Sequence, residues 1–478
     1  MTAPEDAPDA PRRLPRLDWP RLALWLGAFA LLGPALWNGF PVVFFDTGGY
    51  IKRVLDWDLE PGRSFFYGLF LFATSAGWFS FWGPVLAQAA ATLWLIHLTL
   101  RSHAIGCRDW PAAQVTGVAA IGLSALTGIS WYVAQLMPDI LLGLLVLALW
   151  LLAFRWETLN PGERLGVAAI GLLALLSHMS GMGLAVGLVA VIAVARVLDR
   201  RCGWALSPRL GPAAGLVAMA LLLMPTLHMA LIGKQGYTPG GPAFVFGRLV
   251  QDGLAQRYLE RHCPDATIRL CDHRDRMPST ANDFLWHADS PFRVIGWWGG
   301  ADAELSRLVA GIIREEPLAF LATGLRAAAR QLVTVRTGDG LDEWHEVTRW
   351  VFAAFMPRQQ ELSFTTARQQ RGEVTRGLFD TLNAVHVPVA HLSGLGLLLA
   401  AAWGLRRGGR ADLGALALFT ALALLGNAFI NGALSNPHDR YQGRVVWLAT
   451  LATGMAMAAW LDMRRRGQVR PAPNSPPA

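Results

Sequence analysis

The chain has 478 residues, of which 53% are hydrophobic and only 16% are charged. In a soluble domain about a quarter of all residues are charged. Its mean hydropathy is +0.34. This composition excludes a disordered chain, a small disulfide-stabilised domain and an ordinary soluble enzyme, and it indicates an all-α polytopic membrane protein. The net charge of +8 is almost entirely due to arginine, because Lys52 and Lys234 are the only lysines. High-GC codon usage accounts for that bias, so we infer no nucleic-acid partner.

Charge-free stretches predict ten membrane-spanning helices. They lie near residues 22–40, 84–101, 111–134, 139–155, 164–179, 181–198, 212–232, 385–405, 411–431 and 443–461. The stretch 64–100 is counted as one span and an interfacial helix, and 165–195 as a hairpin that turns near residues 177–183. This arrangement places all six arginine-rich short loops on one side, which the positive-inside rule makes the cytoplasmic face. We therefore expect a multi-pass protein of the bacterial inner membrane with both termini in the cytoplasm.

The predicted topology divides the chain into five parts. They are a cytoplasmic tail at 1–20, an N-terminal transmembrane module at 21–232 with its first outer loop at 38–83, an extracytoplasmic domain at 233–384, C-terminal transmembrane helices at 385–461 and a disordered cytoplasmic tail at 462–478. The extracytoplasmic domain is expected to be mixed or mostly helical. Its apolar stretch 308–335 contains interspersed arginines, which favours an amphipathic helix over an eleventh span.

The cysteines fit this topology. Cys263 and Cys271 lie in the outer domain, where a disulfide that closes a short loop is compatible with the oxidising environment, although two unpaired thiols are the alternative. Cys107 and Cys202 fall in predicted cytoplasmic loops, where thiols stay reduced. The sequence contains no P-loop, no dinucleotide-binding fingerprint and no zinc-binding spacing. Nothing in it therefore supports nucleotide-driven chemistry.

Two acids fall on the predicted outer face. Asp46 ends a long apolar stretch in the first outer loop, and Asp139 opens the fourth helix. A carboxylate at that depth is costly unless it has a partner or a chemical role, and partial burial favours a general base. The alternatives are structural, since Asp46 can cap a helix that begins at Thr47 and Pro138 beside an acid is a common helix start.

Basic and aromatic residues are predicted at the same face. They are Arg63 and Tyr67 in the first outer loop, His178 at the turn of the hairpin, and His438, Arg440, Tyr441 and Arg444 in the last outer loop. Arginine binds phosphate through a fork of donors, so this set favours a lipid phosphate at the outer boundary of the membrane. The alternative is that the arginines reach membrane lipid headgroups without specificity.

The order of these features resembles the GT-C glycosyltransferases, in particular the polyprenyl-phosphate-sugar-dependent branch that contains the protein O-mannosyltransferases and the lipid A aminoarabinose transferases. The resemblance covers about residues 20–200 and 431–461. It rests on Asp46 after the first helix, the segment Arg63-Ser-Phe-Phe-Tyr67-Gly in place of an Arg-Pro-Pro-x-Tyr pattern, Asp139 at the start of the fourth helix, the short hairpin, and Arg440-Tyr441 before the final span. The sequence departs from the family at Thr47, where a second acid is frequent, and at Ser64-Phe65, which replace two prolines.

The resemblance implies a GT-C-like bundle and an inverting transfer of a sugar from a polyprenyl-phosphate donor to a hydroxyl of a glycan, lipid or protein acceptor. In that mechanism Asp46 accepts the hydroxyl proton, and Arg63 and Arg440, with Arg444 as a further candidate, stabilise the leaving phosphate. Asp139 would position the sugar or the surroundings of Asp46. A divalent cation is a candidate cofactor, with His178 as a candidate ligand.

Three other classes of protein stay open. An O-antigen ligase or polymerase type of enzyme would place catalysis in the 234–384 segment and make Asp46 dispensable. A lipid or glycolipid transporter would need polar residues along a path through the membrane. The sequence offers few of these, namely Gln88, His97, Gln135 and His228. A non-catalytic assembly subunit would use the outer domain to bind partners.

Overall fold

The computed structural model describes residues 18–56, 62–105, 110–233, 237, 240–343 and 347–468. In these ranges the chain is all-helical, apart from turns and one isolated bridge between Val42 and Gln135. The first ten helices are α1 (Trp19–Asn38), α2 (Thr47–Asp56), α3 (Phe65–Thr74), α4 (Trp82–Ser102), α5 (Ala112–Leu126), α6 (Ile129–Val133), α7 (Asp139–Phe154), α8 (Pro161–Ser177), α9 (Met179–Cys202) and α10 (Leu210–Ile232). Short 3-10 helices lie at Trp156–Thr158, Arg269–Arg276 and Gln369–Arg371.

Nine mostly short helices follow, and three long helices end the chain. The short set is α11 (Gly241–Gln251), α12 (Leu254–His262), α13 (Ala281–Trp286), α14 (Pro291–Val294), α15 (Trp297–Gly300), α16 (Asp302–Glu315), α17 (Pro317–Val333), α18 (Val347–Phe355) and α19 (Arg358–Thr365). The long set is α20 (Arg376–Leu405), α21 (Ala411–Leu434) and α22 (Asp439–Gln468).

Seven helices in the described part of the chain are long and apolar enough to cross a membrane, namely α1, α4, α9, α10, α20, α21 and α22. The chain is therefore a polytopic helical membrane protein. Helices α5, α7 and α8 occupy the other three predicted positions and have 15, 16 and 17 residues. The number of ten spans stays a prediction. The stretch 165–195 is divided into two helices as predicted, because α8 ends at Ser177 and α9 begins at Met179, and their arrangement as a hairpin of two spans stays a prediction.

Several predicted boundaries are wrong. The helix predicted at 111–134 breaks at Thr127, whose backbone is extended and whose hydroxyl bonds the carbonyl of Leu123 at 2.6 Å. The same bond occurs at Thr92, Thr99 and Thr116 inside continuous helices, so the extended backbone of Thr127 marks the break and this bond does not cause it. Helix α20 begins at Arg376, nine residues before the predicted 385, and α22 continues through Gln468, so residues 462–468 are helical and not a disordered tail.

Some predicted features lie outside the described residues. These are the N-terminal tail through residue 17, the C-terminal tail from residue 469, and Cys107. Helix α1 starts three residues earlier than predicted, at Trp19, where the side chain of Asp18 accepts a hydrogen bond from the backbone of Arg21 at 3.3 Å.

Helix α7 is the central element of the bundle. All sixteen of its residues are buried, as expected for a helix that is apolar on every side. Its first residue is Asp139, so the bundle carries one carboxylate at the buried end of its central helix. Nearby, α1 and α5 approach each other closely because they meet at Gly27 and Gly117; a Cβ on Gly117 would lie 2.1 Å from the Ala23 carbonyl oxygen.

The 233–384 segment does not form one detached unit. Residues between Ala243 and Ile312 share a separate hydrophobic core, whereas Val351, Phe352 and Phe364 belong to the core of the bundle. The predicted amphipathic stretch 308–335 is split at Glu316 into α16 and α17, and α17 packs against α21. Cys263 and Cys271 are joined by a disulfide bond, and Cys202 is free and exposed.

Candidate functional site

The first outer loop is fixed to the end of α7 by a short extended segment. The backbone of Val42 donates to the carbonyl of Ala134 and accepts from Leu136, both at 2.9 Å. The hydroxyl of Thr47 donates to the carbonyl of Leu136 at 3.2 Å. These bonds hold Asp46, one residue before Thr47, near the end of the bundle where α7 begins.

Asp46 forms an ion pair with Arg63, so the two candidate residues of the first outer loop are direct partners. Their side chains are 21% and 10% exposed, which leaves the carboxylate the more accessible of the two. The guanidinium of Arg63 also stacks over Trp286 at 5.3 Å, which brings the unit with the separate core into contact with this loop. The carboxylate of Asp46 is therefore occupied by its ion pair with Arg63.

Asp139 lies in a buried ion cluster with two arginines of α22. Its Oδ1 atom is 3.0 Å from Arg444 and 3.7 Å from Arg440. Both Asp139 and Arg444 are fully buried. Two guanidinium groups thus face one carboxylate, and the carboxylates of Asp46 and Asp339 lie near Arg440 as well.

Arg444 is committed to the protein interior. Besides Asp139, its guanidinium contacts His178 at 2.7 Å, Ser180 at 3.1 Å and Asn431 at 3.3 Å. Its Nε atom is buried and has no hydrogen-bond partner, and the role of Arg444 in binding a lipid phosphate stays a prediction. Complete burial and protein partners on both terminal nitrogens make Arg444 a group that positions Asp139.

Arg440 stacks on aromatic rings and keeps one guanidinium nitrogen without a hydrogen-bond partner. Its guanidinium lies 4.1 Å over the ring of Phe44 and 5.4 Å from that of Tyr441. The Nη1 atom is buried and has no hydrogen-bond partner, and neither has the buried Oδ2 atom of Asp139. A buried charged group without a partner is costly, so an anion that accepts from Arg440 would be stabilised there.

Tyr50 of α2 lies near the Asp46–Arg63 pair and near the cluster around Asp139. The sequence did not single it out. Burial raises the pKa of its hydroxyl well above the ordinary value, the charges of Asp46 and Asp139 raise that pKa further, and Arg63 and Arg440 lower it. Tyr50 therefore joins the Asp46–Arg63 pair to the cluster around Asp139. A tyrosine in an interfacial helix gives no sequence signal for this role, because the loop docking that brings it there is a long-range contact.

His438 lies at the edge of the cluster and is held by Asp339, another residue the sequence did not single out. Its ring is 3.7 Å from the Asp339 carboxylate, which also accepts from the backbone of Arg440 at 3.0 Å. Burial lowers the pKa of His438, while Asp339 opposes that shift. Asp339 stands between Gly338 and Gly340, and a Cβ on Gly340 would lie 2.2 Å from the ring of Phe44. The loop 334–343 is thus fitted closely over the first outer loop.

Two predicted ligand roles fail on geometry. Tyr67 is fully buried, donates to Gln88 at 2.9 Å and packs on Tyr50, so its hydroxyl does not face a ligand. Both ring nitrogens of His178 are occupied, one by Arg444 at 2.7 Å and the other by Ser180 at 2.9 Å. No lone pair of His178 is left for a metal ion. Within the described ranges no group of three or more His, Cys, Asp or Glu side chains is placed to hold one.

Two cavities lie outside this cluster. A cavity of about 620 Å³ begins beside Asp439 and is lined by Arg336, Asp380 and Asn383. An apolar cavity of about 310 Å³ lies between α9 and α21 at the opposite end of α7, next to Phe154.

The fold and the cluster define a polytopic helical membrane protein with a buried arginine–carboxylate cluster at one end of its bundle. No family model, curated protein or solved structure matches the chain with significant similarity.

Proposed function

We propose that this protein is an inverting glycosyltransferase of the membrane, which transfers a sugar from a polyprenyl-phosphate donor to an acceptor hydroxyl. The observation that carries the proposal is the buried, unpartnered guanidinium nitrogen of Arg440 beside Asp139 and Tyr50. Arginine recognises phosphate through paired donors, and a buried donor without a hydrogen-bond partner favours an anion that accepts from it. The phosphate of the donor satisfies both requirements.

The chemistry needs a base, a nucleophile and a leaving group. The acceptor hydroxyl gives its proton to the Asp46 carboxylate while its oxygen forms a bond to the anomeric carbon. The bond between that carbon and the phosphate oxygen breaks, and polyprenyl phosphate leaves with its charge stabilised by Arg440. Because the attack and the departure occur on opposite faces of the carbon, the configuration is inverted.

Because Asp46 is paired with Arg63, binding of the sugar donor would also change the state of the Asp46 carboxylate. A phosphate that enters between Arg63 and Arg440 competes with Asp46 for the Arg63 guanidinium. Binding of the donor would then release the carboxylate, so that it can accept a proton only when the donor is present. Asp139 and Arg444 hold Arg440 in place from the buried side.

The membrane orientation belongs to the same proposal. The ten-span topology, with the site on the periplasmic side of a bacterial inner membrane and both termini in the cytoplasm, agrees with a donor that enters from the outer leaflet. The GT-C resemblance supports the assignment by the order of Asp46, Arg63, Asp139 and Arg440 along the chain.

The test measures a product common to every donor sugar. The purified full-length chain is mixed with a set of polyprenyl-phosphate sugars and a membrane extract as the acceptor, and released polyprenyl phosphate is measured by mass spectrometry. Replacement of Asp46 by Asn should lower release at least a hundredfold, since general-base catalysis contributes about 10²–10⁴-fold. The exposed Asp380→Asn is the matched control. Release that is undiminished in Asp46→Asn would remove this mechanism.

One observation favours a second candidate. The 234–384 segment contributes Asp339 next to Arg440 and Trp286 next to Arg63, which suits an O-antigen ligase type of enzyme with catalysis in that segment. In that case Asp339→Asn abolishes transfer while Asp46→Asn does not. The same pair of variants therefore separates the two enzymes.

A further inference from the structure

The apolar cavity next to Phe154 lies far from the candidate site. Asp139 and Phe154 are the first and last residues of α7, so a helix rise of 1.5 Å per residue separates them by about 22 Å. The cavity has a volume of about 310 Å³, and all of its lining residues are apolar, contributed by α9, α21, the ends of α7 and α20, and the loop after α9. Its wall is almost entirely apolar and therefore suits an apolar ligand.

The loop after α9 forms a fixed wall of this cavity. Trp204 and Leu206 line it, and the carboxylate of Asp199 accepts hydrogen bonds from the backbone amides of Leu206 and Ser207, both at 2.9 Å. Both oxygens of the carboxylate are used. These hydrogen bonds fix the loop to α9. The wall therefore does not depend on apolar packing of the loop against the bundle.

Exposed arginines follow the lining residues of the cavity along α9 and α20. On α9, Val194 and Leu198 line the cavity. Leu198 follows Val194 by four residues and Arg201 follows Leu198 by three, so all three lie on one face of the helix. On α20, the lining residue Leu405 is followed directly by Arg406. Arg200 and Arg407 stand beside them, and all four arginines are exposed. In the described part of the chain, none of the four has an ion-pair partner.

We propose that this cavity binds one acyl chain of an anionic phospholipid, whose phosphate is held by Arg201 and Arg406. Basic pockets between transmembrane helices select anionic headgroups, and the apolar lining supplies the complementary surface for the chain. Val194 and Leu418 are 57% and 40% exposed, so the cavity is open towards the lipid phase. The site is independent of the proposed sugar transfer, because it shares no residue with the cluster around Asp139.

The experiment is native mass spectrometry of the full-length chain released from detergent. Phosphatidylglycerol with two oleoyl chains is added in a titration, and phosphatidylcholine with the same chains and glycerol phosphate are titrated in parallel. We expect the wild type to retain one phosphatidylglycerol and to prefer it to phosphatidylcholine. Each arginine near an anionic headgroup contributes enough affinity that the Arg201→Gln/Arg406→Gln double variant should bind about thirtyfold more weakly.

Two controls make the result specific. Arg464→Gln/Arg465→Gln removes the same charge from exposed positions of α22 and should leave binding unchanged. Ala415→Phe fills the cavity and should abolish binding, whereas Gly187→Leu adds an apolar side chain where no atom lies within 4 Å and should not. Equal binding of the two phospholipids, binding of glycerol phosphate alone, or undiminished binding by the Arg201→Gln/Arg406→Gln variant would each overturn the proposal.

Discussion

Removal of the Asp139 carboxylate should be the most damaging polar substitution in the described part of the bundle. Asp139 is fully buried at the start of the central helix, and the equally buried Arg444 depends on it for charge compensation. In Asp139→Asn the side chain keeps its size and loses only its charge. Arg444 then carries a buried positive charge with no carboxylate beside it among the described residues. Its other partners, His178, Ser180 and Asn431, are polar hydrogen-bonding groups.

The magnitude follows from the loss of one partner of a buried ion pair, which costs about 3–5 kcal/mol because the remaining charge is left uncompensated. The matched control is Asp380→Asn, which breaks the pair with Arg336. Those side chains are 67% and 51% exposed, and an exposed pair contributes less than about 1 kcal/mol. The two variants remove the same chemical group and differ in burial.

The assay is equilibrium unfolding in mixed micelles of increasing SDS fraction, followed by the change in helical circular dichroism. We also expect the Asp139→Asn/Arg444→Gln double variant to be destabilised less than the sum of the single variants, by about 0.5–3 kcal/mol. If Asp139→Asn is no more destabilised than Asp380→Asn, the buried cluster does not have the role assigned to it.

Three further predictions concern residues away from that pair. Replacing Cys263 and Cys271 by Ser should lower local stability by about 2–3 kcal/mol, since the disulfide closes a short loop, and limited proteolysis should then cut near residue 271. Gly340→Ala should lower the unfolding midpoint, because the new Cβ would lie 2.2 Å from Phe44 at a backbone φ of +71°. Protonation of His438 should destabilise the fold below about pH 6.5, its unfolded pKa, because burial lowers its folded pKa.

The controls for these predictions are close in chemistry. Gly187→Ala meets no atom within 4 Å and should not lower stability, so an equal effect of Gly187→Ala and Gly340→Ala would contradict the steric argument. His438→Asn should flatten the decline in stability below pH 6.5. Proteolysis that is unchanged in the cysteine variants would show that the disulfide does not hold its segment.

Much of the helical bundle was readable from the sequence because long apolar runs and arginine-rich loops are local signals. The ten predicted helices appear at their positions, with one broken at Thr127. The boundaries that failed are not marked by hydropathy: the backbone of Thr127 is extended within an apolar stretch, and the arginines after Leu461 continue α22 instead of ending it. Neither effect changes the hydropathy of the segment.

The sequence identified the charged residues of the candidate site but not how they are arranged. Asp46, Arg63, Asp139 and Arg440 were expected to lie together in one site because charges are rare in the apolar runs. The split into an accessible pair and a buried cluster depends on the docking of the first outer loop onto residues 134–136, which no local pattern encodes. Arg444 and Arg440 differ in burial although they are one helical turn apart. Tyr50 and Asp339 were missed for the same reason.

The most direct test of the central claim is the binding of undecaprenyl phosphate to the purified full-length chain, measured by native mass spectrometry. The account predicts that the wild type binds one molecule, that Arg440→Gln binds at least tenfold more weakly, since a charge-assisted bond contributes about 1.5–3 kcal/mol, and that the exposed Arg336→Gln binds like the wild type. Equal binding by the wild type and Arg440→Gln would contradict a lipid-phosphate site at this cluster.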